Sequence, residues 1–330
     1  MQQVSSFEMR PQRLIETRTG KFADFSGLPV PPYAILSHRW SRGEEVNFNE
    51  YLHLRSATKK KLGYRKIVEA RRKAAEDCLE YIWIDTCCID QRDHSDVARN
   101  VKSMYSYYQN SQVCYVYLAD VRVEGSSRVT ATIWRSEWFQ RGWTLQELVA
   151  PKRLIFFKAD WEFIGDRHQL SSVIQNLTGI PPSVLDGSTS IYSVDVRTRM
   201  SWCAGRKTTK APDLAYCLLG ILGVSIDPDY TEDVQSAFKR LQKALVYTYP
   251  DTFKTFEDAE SIYQILVRQN ARARVGMDQL YVVPQASHAV QENVEQIRKN
   301  SGITSAQSCL SFGPRSTRSV NVILQPTSLY

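Results

Sequence analysis

No apolar run in this chain approaches the roughly 20 residues that span a bilayer; the longest, Leu214 to Val224, stops well short, so no membrane segment is expected. The N-terminus, MQQVSSFEMRPQRLIETRTG, has no apolar core of a secretory signal, and the expected compartment is the cytoplasm. There is no CxxC. The seven cysteines (Cys78, Cys87, Cys88, Cys114, Cys203, Cys217, Cys309) are odd in number and scattered through apolar stretches, which argues for reduced core thiols over a zinc centre or a disulfide framework. Neither GxxxxGKS/T nor GxGxxG occurs, which leaves a P-loop nucleotidase or an ordinary dehydrogenase unsupported, and no GxSxG marks a hydrolase elbow. Internal repeats and low-complexity linkers are also missing.

What is present suits a folded protein: 330 residues, 43% of them hydrophobic, are enough for one large domain or two ordinary ones. The net charge is +7, and much of the excess sits between Arg55 and Lys73 and in the last sixty residues. A solvated helix face explains such a run most simply. Without interleaved aromatics it does not favour nucleic acid, although an anionic ligand is an alternative.

Periodicity supplies the fold class. Tyr33 to Ser37, Tyr81 to Asp85, Val113 to Leu118 and Arg153 to Phe157 read as buried strands. Between them, Tyr64 to Leu79, Asp96 to Asn110 (capped by Ser95) and Glu137 to Val149 read as helices, the last stopped by Pro151. Alternation of this kind predicts an α/β fold with a parallel sheet covered by helices on both faces. A second half richer in helical patterns predicts a mainly helical C-terminal annex. The expected organisation is an N-terminal extension (1–30), an α/β core (31–165), the annex (166–250) and a C-terminal extension (251–330).

In parallel sheets ligands bind beyond the carboxyl ends of the strands. This puts Ser37 to Glu45, Asp85 to Ser95 and the segment around Glu147 on one rim. Cys87 or Cys88 with His38 and Asp85 could make a nucleophilic triad, but a Cys-Cys pair directly after a strand is more often packing. Glu147 is the sharper candidate: it is expected to face the crevice with Trp143, one helical turn earlier, on the same side. A ring wall beside a carboxylate suits a ligand carrying a flat cationic ring on a sugar. The ring stacks, and the acid holds ribose hydroxyls or stabilises the positive charge that develops as the bond to the ring breaks. The competing reading makes Glu147 a structural ion pair with Arg39, Arg141 or Arg153 while Trp138 and Trp143 fill the core.

Five blocks in order, YAILSHRW with GEEVNF, YIWIDTCCIDQ, VKSMYSYYQNSQVCYVYLADV, SEWFQRGWTLQELVAP and RKTTKAPDLAYCLLGILGV, resemble the HET (heterokaryon incompatibility) domain of filamentous fungi from about Tyr33 to Gln242. Where the family commonly has a YGEG-like turn, this chain reads YTED, Tyr230 to Asp233. The resemblance implies a role in cell death when unlike hyphae fuse, often under a nucleotide-binding oligomerising module. No such module is read in these residues, so control is expected from self-association or from a nucleotide-binding receptor partner. YAILSHRWSRGEE and WTLQEL are also distantly similar to TIR domains. That likeness implies a flavodoxin-like sheet and, carried onto this sequence, Glu147 as the catalytic residue of NAD cleavage, with NAD as candidate substrate and no bound cofactor. Ser37, His38, Arg39, Trp40, Asp85 and Trp143 are the residues expected to bind the nucleotide, and no metal is expected. A non-enzymatic death-signalling adaptor is the second hypothesis.

Overall fold

The computed structural model describes residues 10–122 and 132–253. Its frame is one seven-stranded sheet of β1 (Arg13–Glu16), β2 (Phe22–Asp24), β3 (Tyr33–His38), β4 (Tyr81–Trp83), β5 (Val113–Tyr117), β6 (Leu154–Phe157) and β7 (Phe163–Asp166). The order across the sheet is β2-β1-β4-β3-β5-β6-β7. The inner strands β4, β3, β5 and β6 run parallel. In chain order they stand second, first, third, fourth, the flavodoxin-like arrangement whose switch point flanks the first strand. All six residues of β3 are buried, as a central strand covered on both faces requires.

Three strands escape the periodicity argument because they are short and antiparallel. Residues 13–24, expected in an N-terminal extension, instead form the β1-β2 hairpin that completes one side of the sheet, β1 pairing antiparallel with β4. At the other side β7 folds back antiparallel on β6. Of the expected C-terminal extension only 251–253 fall within the described residues.

The helices are α1 (Phe48–Leu52), α2 (Ser56–Lys60), α3 (Leu62–Glu76), α4 (Asp85–Cys88), α5 (His94–Asn110), α6 (Trp143–Val149), α7 (Ser171–Thr178), α8 (Pro182–Leu185), α9 (Val196–Ser201), α10 (Asp213–Tyr216), α11 (Leu219–Leu222) and α12 (Val234–Thr248). Right-handed crossovers from β3 to β4 and from β4 to β5 place α3 and α5 on opposite faces. Buried Ile67, Ala70 and Ala74 form the inward stripe of α3. Asp93, two residues before the expected cap Ser95, caps α5 by accepting from Ser95 N and Asp96 N. The annex packs on α5 through α11, where Gly220 lets the backbone lie against the Tyr105 ring.

The helix expected over Glu137 to Val149 is broken. Glu137–Gln140 forms a 3₁₀ turn capped by Ser136, and Arg141 leaves helical geometry to form an isolated bridge with Lys207. Gly142 N bonds Lys207 O at 2.8 Å, so the segment is stitched to the annex before α6 begins. Two buried guanidinium groups hold α6: Arg206 donates to Arg141 O and Thr144 Oγ1 at its start, and Arg167 to Leu148 O and Val149 O at its end.

Candidate functional site

The carboxyl ends of β3 and β4 meet α6 at a cluster of polar side chains with little exposure. Ser37 Oγ donates to Glu147 Oε2 at 2.5 Å and accepts from Trp138 Nε1 at 2.9 Å. The Tyr108 hydroxyl, on α5, donates to Leu36 O and also bonds the Glu147 carboxyl. Glu147 is 4% exposed and Ser37 fully buried. Burial, reinforced by the negative charge of Asp85, pushes the Glu147 carboxyl up to about 8, against the Ser37 bond and the Arg141 charge. The group therefore holds its proton at neutral pH.

A second cluster adjoins it. Asp85 Oδ1 bonds His38 Nε2 at 2.9 Å and Thr86 N at 2.6 Å, while Oδ2 accepts from Trp40 Nε1 at 2.8 Å. Burial would raise the Asp85 carboxyl, but the His38 charge, the His38 and Trp40 bonds and the charge of Lys66 outweigh it and hold Asp85 below its ordinary range. Lys66 is buried on Glu45 at 2.7 Å, and burial lowers its ammonium pKa. Three buried atoms here, His38 Nδ1, Glu45 Oε2 and Thr86 Oγ1, have no partner among the described residues. Polar valence of this kind is what a bound polar molecule or ordered water satisfies.

The expected residues thus divide. Ser37, His38, Asp85 and Glu147 converge, and Trp40 joins them through its indole nitrogen while its ring stays 39% exposed. Arg39 turns outward to Glu137 at 2.6 Å, a half-exposed pair. Trp143 does not accompany Glu147: its Nε1 donates to Asp213 Oδ2 at 3.1 Å, an annex carboxyl that Tyr230 also bonds. Nor is Glu147 open at a crevice mouth as expected. The broken helix turns it inward onto the end of β3, with Trp138 as its neighbouring indole. The ion-pair alternative fails as well, since Arg39 pairs with Glu137, Arg153 with Asp77, and Arg141 bonds Thr209. Cys87 and Cys88 are buried, and burial raises the Cys87 thiol, which suits packing. Cys114, Cys203 and Cys217 are buried free thiols as expected, whereas Cys78 is exposed and disulfide-bonded, against the expectation of a reduced core thiol, and Cys309 lies outside the described residues.

Trp138, Tyr108 and Lys66 were not anticipated at the site, and Glu45 only as the end of the rim segment. Lys66 had a legible signal, a lysine inside the apolar stripe of α3 between Gly63 and Ala70. No group of three or more potential metal ligands occurs among the described residues.

Residues 33–134 match the family model described as Heterokaryon incompatibility protein (HET). Vegetative incompatibility protein HET-E-1 of Podospora anserina is 38% identical over 222 residues, which cover 66% of this chain and 16% of that protein. The chain belongs to the HET family. The HET match contains Ser37, His38, Arg39, Trp40 and Asp85 and ends before Trp143 and Glu147. This HET protein thus spans about a sixth of the relative's length. No solved structure matches it significantly. No helix among the described residues is long and apolar enough to cross a membrane.

Proposed function

We propose that this HET protein acts in vegetative-incompatibility cell death by cleaving the N-glycosidic bond of NAD or a related nucleotide when assembled with copies of itself or with a nucleotide-binding receptor. The observation that carries the reading is Glu147: a carboxyl buried beyond the strand ends with no cation bonded to it. A structural acid is normally neutralised by a partner. One kept buried beside an ionised neighbour, Asp85, is the pattern of two carboxyls with divided roles.

In this reading a cationic nicotinamide ring brought beside Glu147 lowers its pKa and releases the proton, leaving a carboxylate beside the ribose. The C–N bond breaks with its electrons leaving on nicotinamide, and the carboxylate stabilises the oxocarbenium charge. Water then adds to the sugar carbon and loses a proton. Trp40 serves as the ring wall in place of Trp143, because Asp85 fixes its nitrogen while its face is open. Glu147 is covered, so access requires the residues packed around it to move, and assembly is the proposed trigger.

The test is nicotinamide release from NAD by the purified protein, dilute and assembled, beside Glu147→Gln. The burial of Glu147 favours one competitor, a non-enzymatic adaptor active through homotypic or receptor-driven assembly. On that reading no nicotinamide appears and Glu147→Gln kills as well as the parent.

A further inference from the structure

The stretch from Arg55 to Lys73 holds nine lysines and arginines against one acid, Glu69, so its charge exceeds the +7 of the whole chain and the remainder is close to neutral. Folding neutralises only part of it. Lys61 pairs with Glu50, Lys66 with Glu45, and Arg72 and Lys73 with Glu69 and Glu76. Arg71 donates to Thr17 O and Arg18 O, tying the β1-β2 turn to α3. Arg55, Lys59, Lys60 and Arg65 are left exposed with no acidic partner among the described residues, and so are Arg18 and Lys21 on the adjoining turn.

Aliphatic side chains stand among these cations. Leu62 is 55% exposed and Val68 36% exposed, on the same outward side of α3 as Arg65. Neither is needed to cover the core, which Ile67, Ala70 and Ala74 reach.

We propose that α2, the outward side of α3 and the β1-β2 turn form a docking surface for an anionic lipid bilayer. Unpaired cations on a helix attract anionic headgroups, and interspersed Leu and Val enter the headgroup boundary. A nucleic-acid surface would instead offer aromatics to stack on bases. The stretch 55–73 has one aromatic, Tyr64, which is half-buried. The assignment is independent of any chemistry at Glu147.

Flotation of the full chain with phosphatidylcholine vesicles, with and without phosphatidylserine, tests it. Binding is expected only to the anionic vesicles and weakens with salt. Lys59→Glu with Lys60→Glu and Arg65→Glu removes it, at about fivefold or more per charge. Leu62→Ser weakens vesicle binding severalfold without changing the salt dependence. All four positions are exposed, so circular dichroism should match the parent. Equal binding to uncharged vesicles, no vesicle binding at all, or charge-dependent capture of an RNA or DNA oligonucleotide in its place overturns the proposal.

Discussion

Ser37 Oγ donates to Glu147 Oε2 across 110 residues of chain, and no cation completes the contact. The carboxyl is therefore held protonated, its pKa raised by burial from its ordinary 4.5 to about 8. A group whose proton is bound more tightly in the native state makes stability fall as pH rises between those values, because the unfolded chain releases the proton first. Glu147→Gln is neutral throughout, so its stability relative to the parent should rise from about pH 5 to about pH 8, by on the order of 3 kcal/mol. Urea midpoints at the two pH values measure this. A difference that does not change with pH would mean that Glu147 titrates normally.

The same substitution separates stability from activity. If Glu147 stabilises developing charge, nicotinamide release should drop by about 10² to 10³-fold in the variant while its fold is retained. Ser37→Ala should reduce stability as well, since it leaves both Trp138 Nε1 and Glu147 without the bridging hydroxyl; the expected loss is about 1–3 kcal/mol. A chemical melt of each variant beside its turnover distinguishes the two effects.

Asp85 fastens the rim loop. Its oxygens receive His38 Nε2, Thr86 N and Trp40 Nε1, and Lys66 lies near enough to lower its pKa. Asp85→Ala should cost about 3 kcal/mol, because breaking a buried charge network strands its partners. It should also release Trp40, seen as a red shift and higher quencher access in tryptophan fluorescence. Unchanged emission would mean that Trp40 is held by other contacts.

The parallel centre of the sheet was legible because a strand buried on both faces must be apolar throughout, and YAILS, YIWID and VCYVY announce themselves. Arg13–Glu16, Phe22–Asp24 and Phe163–Asp166 carry too few residues for a period to emerge, and their pairing is set by neighbours distant in sequence. At the site, Ser37, His38, Asp85 and Glu147 could be named because each ends or follows a strand or sits on the helix beside the strand ends. Which indole stands beside Glu147 could not be. Trp138 and Trp143 are five residues apart, and the bridge between Arg141 and Lys207, a contact with the annex, breaks the helix and decides it.

That annex contact can be tested at Gly220. A Cβ added there would lie 2.2 Å from both Cβ and Cγ of Tyr105, far inside van der Waals contact, with the rigid α5 backbone behind the ring. Because Tyr105 Cβ cannot swing away, α11 must shift off α5, and Gly220→Ala should destabilise the protein by about 3 kcal/mol, the upper end for overpacking. Tyr105→Ala alone should also destabilise, by loss of a buried ring. Together the two should be less harmful than their sum, since removing the ring leaves only the Cβ clash; residues in contact couple by about 0.5–3 kcal/mol. Thermal melts of the two single variants and the double variant form the cycle. Strict additivity would show that the annex does not pack on α5 through this pair.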